Sequence, residues 1–185
     1  AKASVSGGVR IHLEKTIPAE GGLGGGSGNA ATTLLALNEL HGQPLGQAAL
    51  QALAAELGSD VPFFLQAEAA VAKGRGELIE PVAPLAALDG KALLLVRPGF
   101  GVPTPWAYQR LAKFPDAASR PLGQADELAR RLANGPLADT AGAFYNSLEA
   151  PVFDKFPLLK LLKEHALANG AEAALLCGSG STVFA

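Results

Sequence analysis

The chain of 185 residues is 49% apolar, which is enough to build one large domain or two small ones. Its formal net charge is −2 and it carries no basic stripe, so nucleic acid is not expected as a partner. No apolar run reaches the roughly 18 residues of a membrane span, and a single cysteine, Cys177, excludes an internal disulfide. We therefore expect a soluble cytoplasmic protein that does not bind membranes.

The first half of the chain carries the patterns of a strand, two helices and a hairpin. Residues 9–13 alternate apolar and polar side chains, as a half-buried strand does. Apolar residues then recur at helical spacing over residues 30–37 and 50–57, and Gly58 lies just past the second helix. Two short apolar runs around a glycine-rich turn predict a hairpin over residues 69–82.

The second half is predicted to open with a strand over residues 92–96, whose continuous apolar run indicates burial on both faces. A proline-rich loop over residues 98–105 follows it. Helical faces are predicted over residues 125–132 and 158–165, each ended by Asn-Gly. Residues 173–185 indicate strand, turn and strand. The weakly charged stretch from 81 to 90 is the candidate domain boundary, and the fold class is α+β.

The strongest single feature is a glycine-rich segment between the first predicted strand and the first predicted helix. Residues 18–31 read Pro-Ala-Glu-Gly-Gly-Leu-Gly-Gly-Gly-Ser-Gly-Asn-Ala-Ala. Glycines permit positive φ and let a ligand approach the backbone closely, so successive N–H groups can face one anion. The helix that follows adds unpaired N–H groups and the positive end of its dipole. The segment therefore predicts a phosphate-binding loop.

The glycine-rich segment also fits two roles that involve no ligand. It could be a flexible glycine linker, or a helix start capped by Ser27 or Asn29. A Walker loop does not fit, because no lysine follows the glycines. A dinucleotide site is disfavoured, because the positions about 20 residues on belong to a predicted helix rather than to the end of a second strand.

Further short motifs follow in chain order. They are Gly58-Ser59-Asp60-Val61-Pro62-Phe63-Phe64, Gly74-Arg75-Gly76-Glu77, Val102-Pro103-Thr104-Pro105 with Tyr108, Asn146-Ser147-Leu148-Glu149, and Gly178-Ser179-Gly180-Ser181-Thr182-Val183-Phe184-Ala185. Together with the glycine-rich segment, they resemble the motifs of the GHMP kinases. Within that family, they are most similar to the members that act on 4-diphosphocytidyl-2-C-methyl-D-erythritol. The resemblance extends from about Val9 to Ala185.

The resemblance implies a two-domain GHMP kinase fold. Residues 1–88 would form the later half of the nucleotide-binding domain, and residues 89–185 most of a smaller α+β domain. It also implies transfer of the γ-phosphoryl group of ATP, with Mg²⁺, to the 2-hydroxyl of that small-molecule substrate in non-mevalonate isoprenoid synthesis. Mg²⁺ is expected because the charge of the transferring phosphoryl group must be neutralised.

The resemblance assigns roles to particular residues. Asp60 matches the family's acceptor of the hydroxyl proton, which is chemistry that suits a carboxylate. The implied ATP-binding residues are Pro18, Ala19, Glu20, Gly21, Gly22, Leu23, Gly24, Gly25, Gly26, Ser27 and Gly28. The implied substrate-binding residues are Thr104, Tyr108, Gly178, Ser179 and Gly180. No metal ligand is identified, and Ser27 is only a candidate.

Each of these residue types also occurs in a purely structural role. An Asp two positions before a proline is ordinarily a turn or N-cap residue, Tyr108 could be a packed aromatic, and residues 178–181 could be only a tight turn. The family's N-terminal segment, with its Lys-x-Asn and Asp-Gly-Tyr-His motifs, and its final helical segment are not found in this sequence. We therefore expect a part of a kinase. Gly28 stands where many relatives have a second serine.

Alternative functions also stay open. They are another GHMP small-molecule kinase, a non-catalytic nucleotide-binding or interaction module and, less favoured by the motifs, a nicotinamide-dependent enzyme. The sequence does not determine the oligomeric state.

Overall fold

The computed structural model describes residues 7–119, 121 and 123–185, and the chain divides into two compact units. The first unit contains described residues 7–17 and Gly24–Val82, and the second contains Pro18–Leu23 and Ala83–Ala185. The glycine-rich segment thus contributes its early residues to the second unit and its later residues to the first. The assignment of residues 1–88 and 89–185 to two kinase domains stays a prediction.

The first unit combines two helices with a hairpin. Its elements are α1 (Gly25–Leu40), α2 (Gln47–Leu57), a 3₁₀ turn (Pro62–Leu65), β1 (Ala70–Lys73) and β2 (Leu78–Pro81). Ala31, Ala54 and Val61 form the buried cluster between the helices and the 3₁₀ turn. The two strands pair antiparallel, with Ala70 opposite Pro81. Both predicted helices and the predicted hairpin are confirmed.

The predicted strand over residues 9–13 is wrong. These residues adopt no regular structure, and Val9, Ile11 and Leu13 are 50%, 60% and 56% exposed. Alternating side chains produce a strand only where a neighbouring strand accepts the backbone hydrogen bonds. Within the part of the chain that the structure describes, no strand pairs with this segment.

The second unit packs helices around a small antiparallel sheet. Its strands are β3 (Leu95–Val96), β4 (Leu175–Leu176) and β5 (Val183–Phe184), arranged in the order β3-β5-β4. Its helices are α3 (Thr104–Leu111), α4 (Pro115–Ala118), α5 (Gln124–Asn134), α6 (Leu137–Thr140), α7 (Glu149–Lys155) and α8 (Pro157–Ala168). Short 3₁₀ turns lie at Ala86–Leu88 and Ala141–Ala143. The core of this unit contains Val102, Ala107, Leu148, Val152, Leu159, Leu176 and Val183.

The helices predicted as α5 and α8 are confirmed, as is the strand-turn-strand arrangement near residue 180. The apolar face predicted for α8 is wrong, because Leu158 and Leu161 are 46% and 59% exposed, whereas the neighbouring Leu159 is fully buried. The strand expected over residues 92–96 is present only at Leu95–Val96, and its predicted burial is wrong. Leu93, Leu94 and Leu95 are 67%, 57% and 48% exposed, because β3 lies at the edge of the sheet.

Helix α3 begins inside the stretch that the prolines indicated as a loop. Thr104 is its first residue and Pro105 its second. A proline in the first helical turn sacrifices no hydrogen bond, because the N–H groups there have no partner within the helix. No helix in the described ranges is both long and apolar enough to cross a lipid bilayer.

Candidate functional site

Helix α1 begins in the glycine-rich segment without a cap. Gly24 precedes it in the left-handed conformation, at φ 66°, and no side chain caps the helix. Gly28 N–H donates to the Gly24 carbonyl at 2.8 Å, whereas no hydrogen bond to the described residues is found for the N–H groups of Gly25, Gly26 and Ser27. The first turn also contains no acidic residue. These three amides and the positive end of the helix dipole are therefore available to an anion.

The glycines at this helix start meet different surroundings. A Cβ on Gly24 would lie 2.5 Å from Cζ of Phe64, and one on Gly28 would lie 3.5 Å from Cδ1 of the same ring. A Cβ on Gly26 would meet nothing within 4 Å. The Phe64 ring thus supports one side of the first turn, while Gly26 faces open space from which a ligand can approach.

Asp60 lies in the turn between α2 and the 3₁₀ turn that carries Phe64, with its carboxylate exposed. The next residues, Val61 and Pro62, are buried, and Val61 N–H donates to the Gly58 carbonyl at 3.1 Å. The backbone beside Asp60 is therefore anchored while the side chain remains accessible. An accessible carboxylate on a fixed backbone has the geometry that a general base requires.

The turn of the β1–β2 hairpin packs against Asp60. Gly76, at φ 116°, leaves room for this approach, since a Cβ there would lie 3.4 Å from Oδ1 of Asp60 and 3.4 Å from the Ser59 carbonyl. Beside it, Glu77 accepts the Arg75 N–H at 2.7 Å. Hydrogen bonds from the backbone amides of Glu77 itself and of Arg75 hold the pKa of the Glu77 carboxyl below its usual value. The structure thus brings together residues of two motifs, Asp60 and Gly76, that lie 16 positions apart in the sequence.

In the second unit, Pro18–Leu23 lies against the residues that precede β5. Ser181 N–H donates to the Glu20 carbonyl at 3.1 Å, and Thr182 N–H donates to the Gly21 carbonyl at 3.2 Å. The early part of the glycine-rich segment is therefore held by the last glycine motif, an association that the sequence alone did not indicate.

Gly22 makes the closest approach in this region. A Cβ at this position would lie 1.8 Å from the carbonyl oxygen of Cys177 and 3.2 Å from the Gly180 nitrogen, and φ is 73°. Only glycine fits here, because backbone meets backbone at a conformation that other residues rarely adopt. Burial raises the pKa of the neighbouring Cys177 thiol, which disfavours the reactive thiolate form.

Two predicted substrate residues meet through their hydroxyl groups. Oγ1 of Thr104 and Oγ of Ser179 lie 2.8 Å apart, and Ser179 is only 6% exposed. Tyr108 lies four residues after Thr104 and therefore shares its face of α3. Its side chain is 62% exposed, so it is not a packed core aromatic. The ring is accessible to a ligand beside the hydroxyl pair.

The turn that carries Ser179 is held from outside by Asn146. Nδ2 of Asn146 donates to the carbonyls of Leu176 and Gly178 at 2.9 and 2.7 Å. Sequence reasoning singled out the motif at residues 146–149 but gave Asn146 no role, because a contact across 32 positions leaves no local pattern.

No cluster of three or more His, Cys, Asp or Glu side chains suitable for a metal ion occurs within the described ranges. Ser27, the candidate metal ligand, lies in the first turn of α1.

Comparisons with known proteins identify the family of the chain. The family model described as the GHMP kinases N terminal domain matches residues 1–68, and the one described as GHMP kinases C terminal matches residues 121–185. The two matches occur in the expected order and together cover well over half of the chain. The chain belongs to the GHMP kinase family, and the two-domain α+β fold inferred from its motifs is confirmed.

Within this family, the chain is similar to 4-diphosphocytidyl-2-C-methyl-D-erythritol kinases. It is 40% identical over 184 residues to that of Pelotomaculum thermopropionicum, a match that covers 100% of this chain and 62% of the relative. It is 42% identical to that of Synechococcus sp. (strain JA-3-3Ab), and this match covers 96% of this chain and 58% of the relative. A crystal structure of 4-(cytidine 5'-diphospho)-2C-methyl-D-erythritol kinase is 38% identical, with a TM-score of 0.71 over 92% of this chain and 59% of that one. The chain thus spans 58–62% of the length of these relatives.

Proposed function

We propose that this protein is an ATP-dependent kinase that phosphorylates the 2-hydroxyl of 4-diphosphocytidyl-2-C-methyl-D-erythritol in the cytoplasm. The names of its relatives support the substrate. One structural observation carries the chemistry. Within the first unit, α1 starts with three amides that find no hydrogen-bond partner in the part of the chain that the structure describes. Gly24 and Gly28 lie against the Phe64 ring, and the 3₁₀ turn that carries Phe64 begins two residues after the exposed Asp60.

The ATP-binding residues in this proposal are those from Pro18 to Gly28. The N–H groups of Gly25, Gly26 and Ser27 are suited to phosphate oxygens, since amides at a helix start need no rearrangement to bind an anion. Each negative charge held there gains about 0.3–2 kcal/mol from the helix dipole. The open space beside Gly26 admits a phosphate without displacing a side chain.

Asp60 is the proposed general base. Its carboxylate would accept the proton of the acceptor hydroxyl as that oxygen bonds to the γ-phosphorus, while the bond from the γ-phosphorus to the β–γ bridging oxygen breaks and ADP leaves. A base of this kind contributes about 10²–10⁴-fold to the rate. The exposure of Asp60 permits this role, because a substrate alcohol can approach its carboxylate from solvent.

The acceptor is proposed to bind the second unit through Thr104, Tyr108, Gly178, Ser179 and Gly180. One of the Thr104 and Ser179 hydroxyl groups donates to the other, so the pair offers a polar group of the substrate one donor and the remaining acceptor lone pairs. The exposed Tyr108 ring can stack on the cytosine, a contact worth about 1–3 kcal/mol. Ring stacking suits any base, so the choice of cytosine must come from hydrogen bonds elsewhere.

Mg²⁺ is proposed as the accompanying cation, and when bound it would neutralise charge on the transferring phosphoryl group. Protein sites for Mg²⁺ commonly combine one or two oxygen ligands with substrate phosphates, so a lone hydroxyl such as Ser27 Oγ fits that chemistry.

The test is release of ADP from Mg-ATP in the presence and absence of 4-diphosphocytidyl-2-C-methyl-D-erythritol. We expect Asp60→Asn, which keeps the shape of the side chain but accepts no proton, to lower substrate-dependent turnover by about 10²–10⁴-fold. Asp89→Asn, at another exposed aspartate, is the matched control and should leave turnover unchanged. Turnover that survives in Asp60→Asn would refute the assignment of the base.

The same assay separates the alternatives. Turnover only with a different small alcohol would indicate another GHMP kinase. Binding of Mg-ATP without turnover of any acceptor would indicate a nucleotide-binding module without catalysis.

A further inference from the structure

Two side chains at the start of α7 hold the outer edge of β4. Glu149 Oε1 accepts the Leu176 N–H at 2.9 Å, and Asn146 Nδ2 donates to the Leu176 carbonyl at 2.9 Å. On its other edge, β4 pairs antiparallel with β5. Both backbone groups of Leu176 are therefore satisfied by side chains where a further strand would otherwise bind.

Both side chains are themselves fixed by the helices that follow. Oδ1 of Asn146 accepts the N–H of the buried Leu148 at 2.9 Å. Oε2 of Glu149 accepts from Nζ of Lys163 at 2.6 Å, and these two side chains are only 16% and 22% exposed. Nζ of Lys163 also lies 5.9 Å from the centre of the Phe153 ring. The positions of Asn146 and Glu149 are thus set by α7 and α8, independently of any ligand.

Asn146 reaches beyond the strand into the turn. The second proton of Nδ2 is donated to the Gly178 carbonyl at 2.7 Å. The turn contains Gly178 at φ 53° and Gly180 at φ 87°, two residues with a wide choice of backbone conformation. Ser179 between them meets Thr104 at 2.8 Å. Gly180 N–H also donates to the Cys177 carbonyl at 2.8 Å, and Ser181 N–H donates to the Glu20 carbonyl, so both ends of the turn are held as well. Among these contacts, Asn146 supplies the side-chain hydrogen bond to the carbonyl of Gly178.

We infer that Asn146 is a positioning residue that fixes the turn at residues 178–180 in the conformation that holds Ser179 against Thr104, and thereby sets the Thr104 hydroxyl for the substrate. The inference rests on the proposed function for the role of the turn, but not for the hydrogen bonds that hold it. Without Asn146, the turn would spend only part of its time in the competent conformation. The apparent dissociation constant of the acceptor would then rise by the inverse of that fraction.

The first variant is Asn146→Ala in the full chain. We expect the apparent Kd and KM of the acceptor to rise about tenfold, which corresponds to about 1.4 kcal/mol. We expect kcat to stay within about twofold, because the proposed base Asp60 belongs to the other unit and keeps its surroundings. Hydrogen exchange of the amides of residues 176–180 should become faster. A variant with a purely structural defect would lower the melting temperature without this separation of KM from kcat.

The second variant, Asn146→Asp, gives a readout that loss of packing cannot reproduce. It keeps the oxygen that accepts from Leu148 but places a carboxylate oxygen against two carbonyls, which raises the pKa of the new carboxyl. Once protonated, this group donates one of the two lost hydrogen bonds. Acceptor affinity of Asn146→Asp should therefore improve as the pH falls, relative to wild type and Asn146→Ala.

The wild-type chain is measured over the same pH range, because other charged groups surround this position. Glu149 and its partner Lys163 adjoin it, Tyr145, Asp154 and Lys160 line the same surface depression, and Cys177 lies between the two residues whose carbonyls Asn146 binds. A pH effect that Asn146→Ala shares with wild type is assigned to these neighbours, and only the additional pH dependence of Asn146→Asp reports on the new carboxyl and the groups coupled to it.

Asn134→Ala is the matched control. Nδ2 of Asn134 donates to the Arg130 carbonyl at 2.7 Å at the end of α5, so the control removes the same type of bond away from the turn. Unchanged exchange at residues 176–180 in Asn146→Ala overturns the inference. Faster exchange with unchanged acceptor affinity overturns it as well. If the wild-type chain neither binds nor turns over the acceptor, the proposed function fails, and the exchange data decide by themselves whether Asn146 sets the turn.

Discussion

Replacing Gly22 with alanine tests whether the first and last glycine motifs meet backbone to backbone. The new Cβ would lie 1.8 Å from the Cys177 carbonyl oxygen and 2.8 Å from its carbon, so the backbone itself must move. The φ of 73° costs an alanine about 1–2 kcal/mol, and forcing a methyl group into filled space costs about 1–3 kcal/mol more. We expect Gly22→Ala to lower the free energy of unfolding by about 2–5 kcal/mol.

Gly26→Ala is the matched variant for this measurement. Position 26 is helical and meets nothing within 4 Å, so alanine should raise the free energy of unfolding by up to about 1 kcal/mol. The added methyl group would occupy the open space that the proposed phosphate needs, so Mg-ATP affinity should fall in Gly26→Ala although its stability does not.

Urea denaturation, read as a change in midpoint at constant m, measures the stability of both variants. Isothermal titration with Mg-ATP measures their affinity. A loss of about 1–2 kcal/mol or less for Gly22→Ala would refute the backbone contact, since the strained φ alone accounts for that much.

Three further predictions concern the second unit. Thr182→Val should raise the free energy of unfolding by about 1 kcal/mol in urea denaturation, because the Thr182 hydroxyl is buried without a hydrogen-bond partner among the described residues. A clear decrease in the free energy of unfolding would instead show that the hydroxyl has such a partner. A hydrogen bond from Arg130, and to a smaller extent one from Arg131, lowers the pKa of the Glu127 carboxyl to about 2. Its stabilising contribution should therefore be present above the ordinary value of 4.5 and vanish as the pH falls towards 2, so the melting temperatures of wild type and Glu127→Gln should converge there. Glu149→Ala should lower the free energy of unfolding by about 2–3 kcal/mol in urea denaturation, because it leaves the Leu176 amide and the little-exposed Lys163 without their acceptor. A decrease no larger than that of Asn134→Ala would contradict this expectation.

Local sequence patterns predicted the elements that are stabilised locally. Helices α1, α2, α5 and α8 follow from apolar residues at helical spacing with glycine or asparagine at their ends, and the hairpin follows from its turn. The strand predicted over residues 9–13 failed because a strand depends on a partner, which an alternating pattern cannot specify. The run at residues 92–96 failed similarly, since its apolar side chains did not reveal that β3 lies at an edge.

The candidate site was predictable where a residue type carries its own chemistry. Glycines before a helix indicated the free amides of α1, and the motif around Asp60 indicated a carboxylate that the structure finds accessible. The contacts of Asn146 with residues 176–178 were not predictable, because nothing in the local sequence of an asparagine indicates which distant carbonyl it binds. The catalytic and binding roles of all these residues remain predictions.

The contact of Gly22 with Cys177 and Gly180 also imposes an order on folding during synthesis. The partners of Pro18–Leu23, at residues 177–182, are made more than 150 residues later than that segment. At about 5–20 residues per second, the early segment waits on the order of ten to thirty seconds for them. Throughout that interval the glycines of this segment lack their contacts with residues 177–182, and helix α1, which follows directly, must form without those contacts. The second unit can close only after residue 182 has been made, so a ribosome that stalls before residue 177 would leave this unit open to chaperones and proteases.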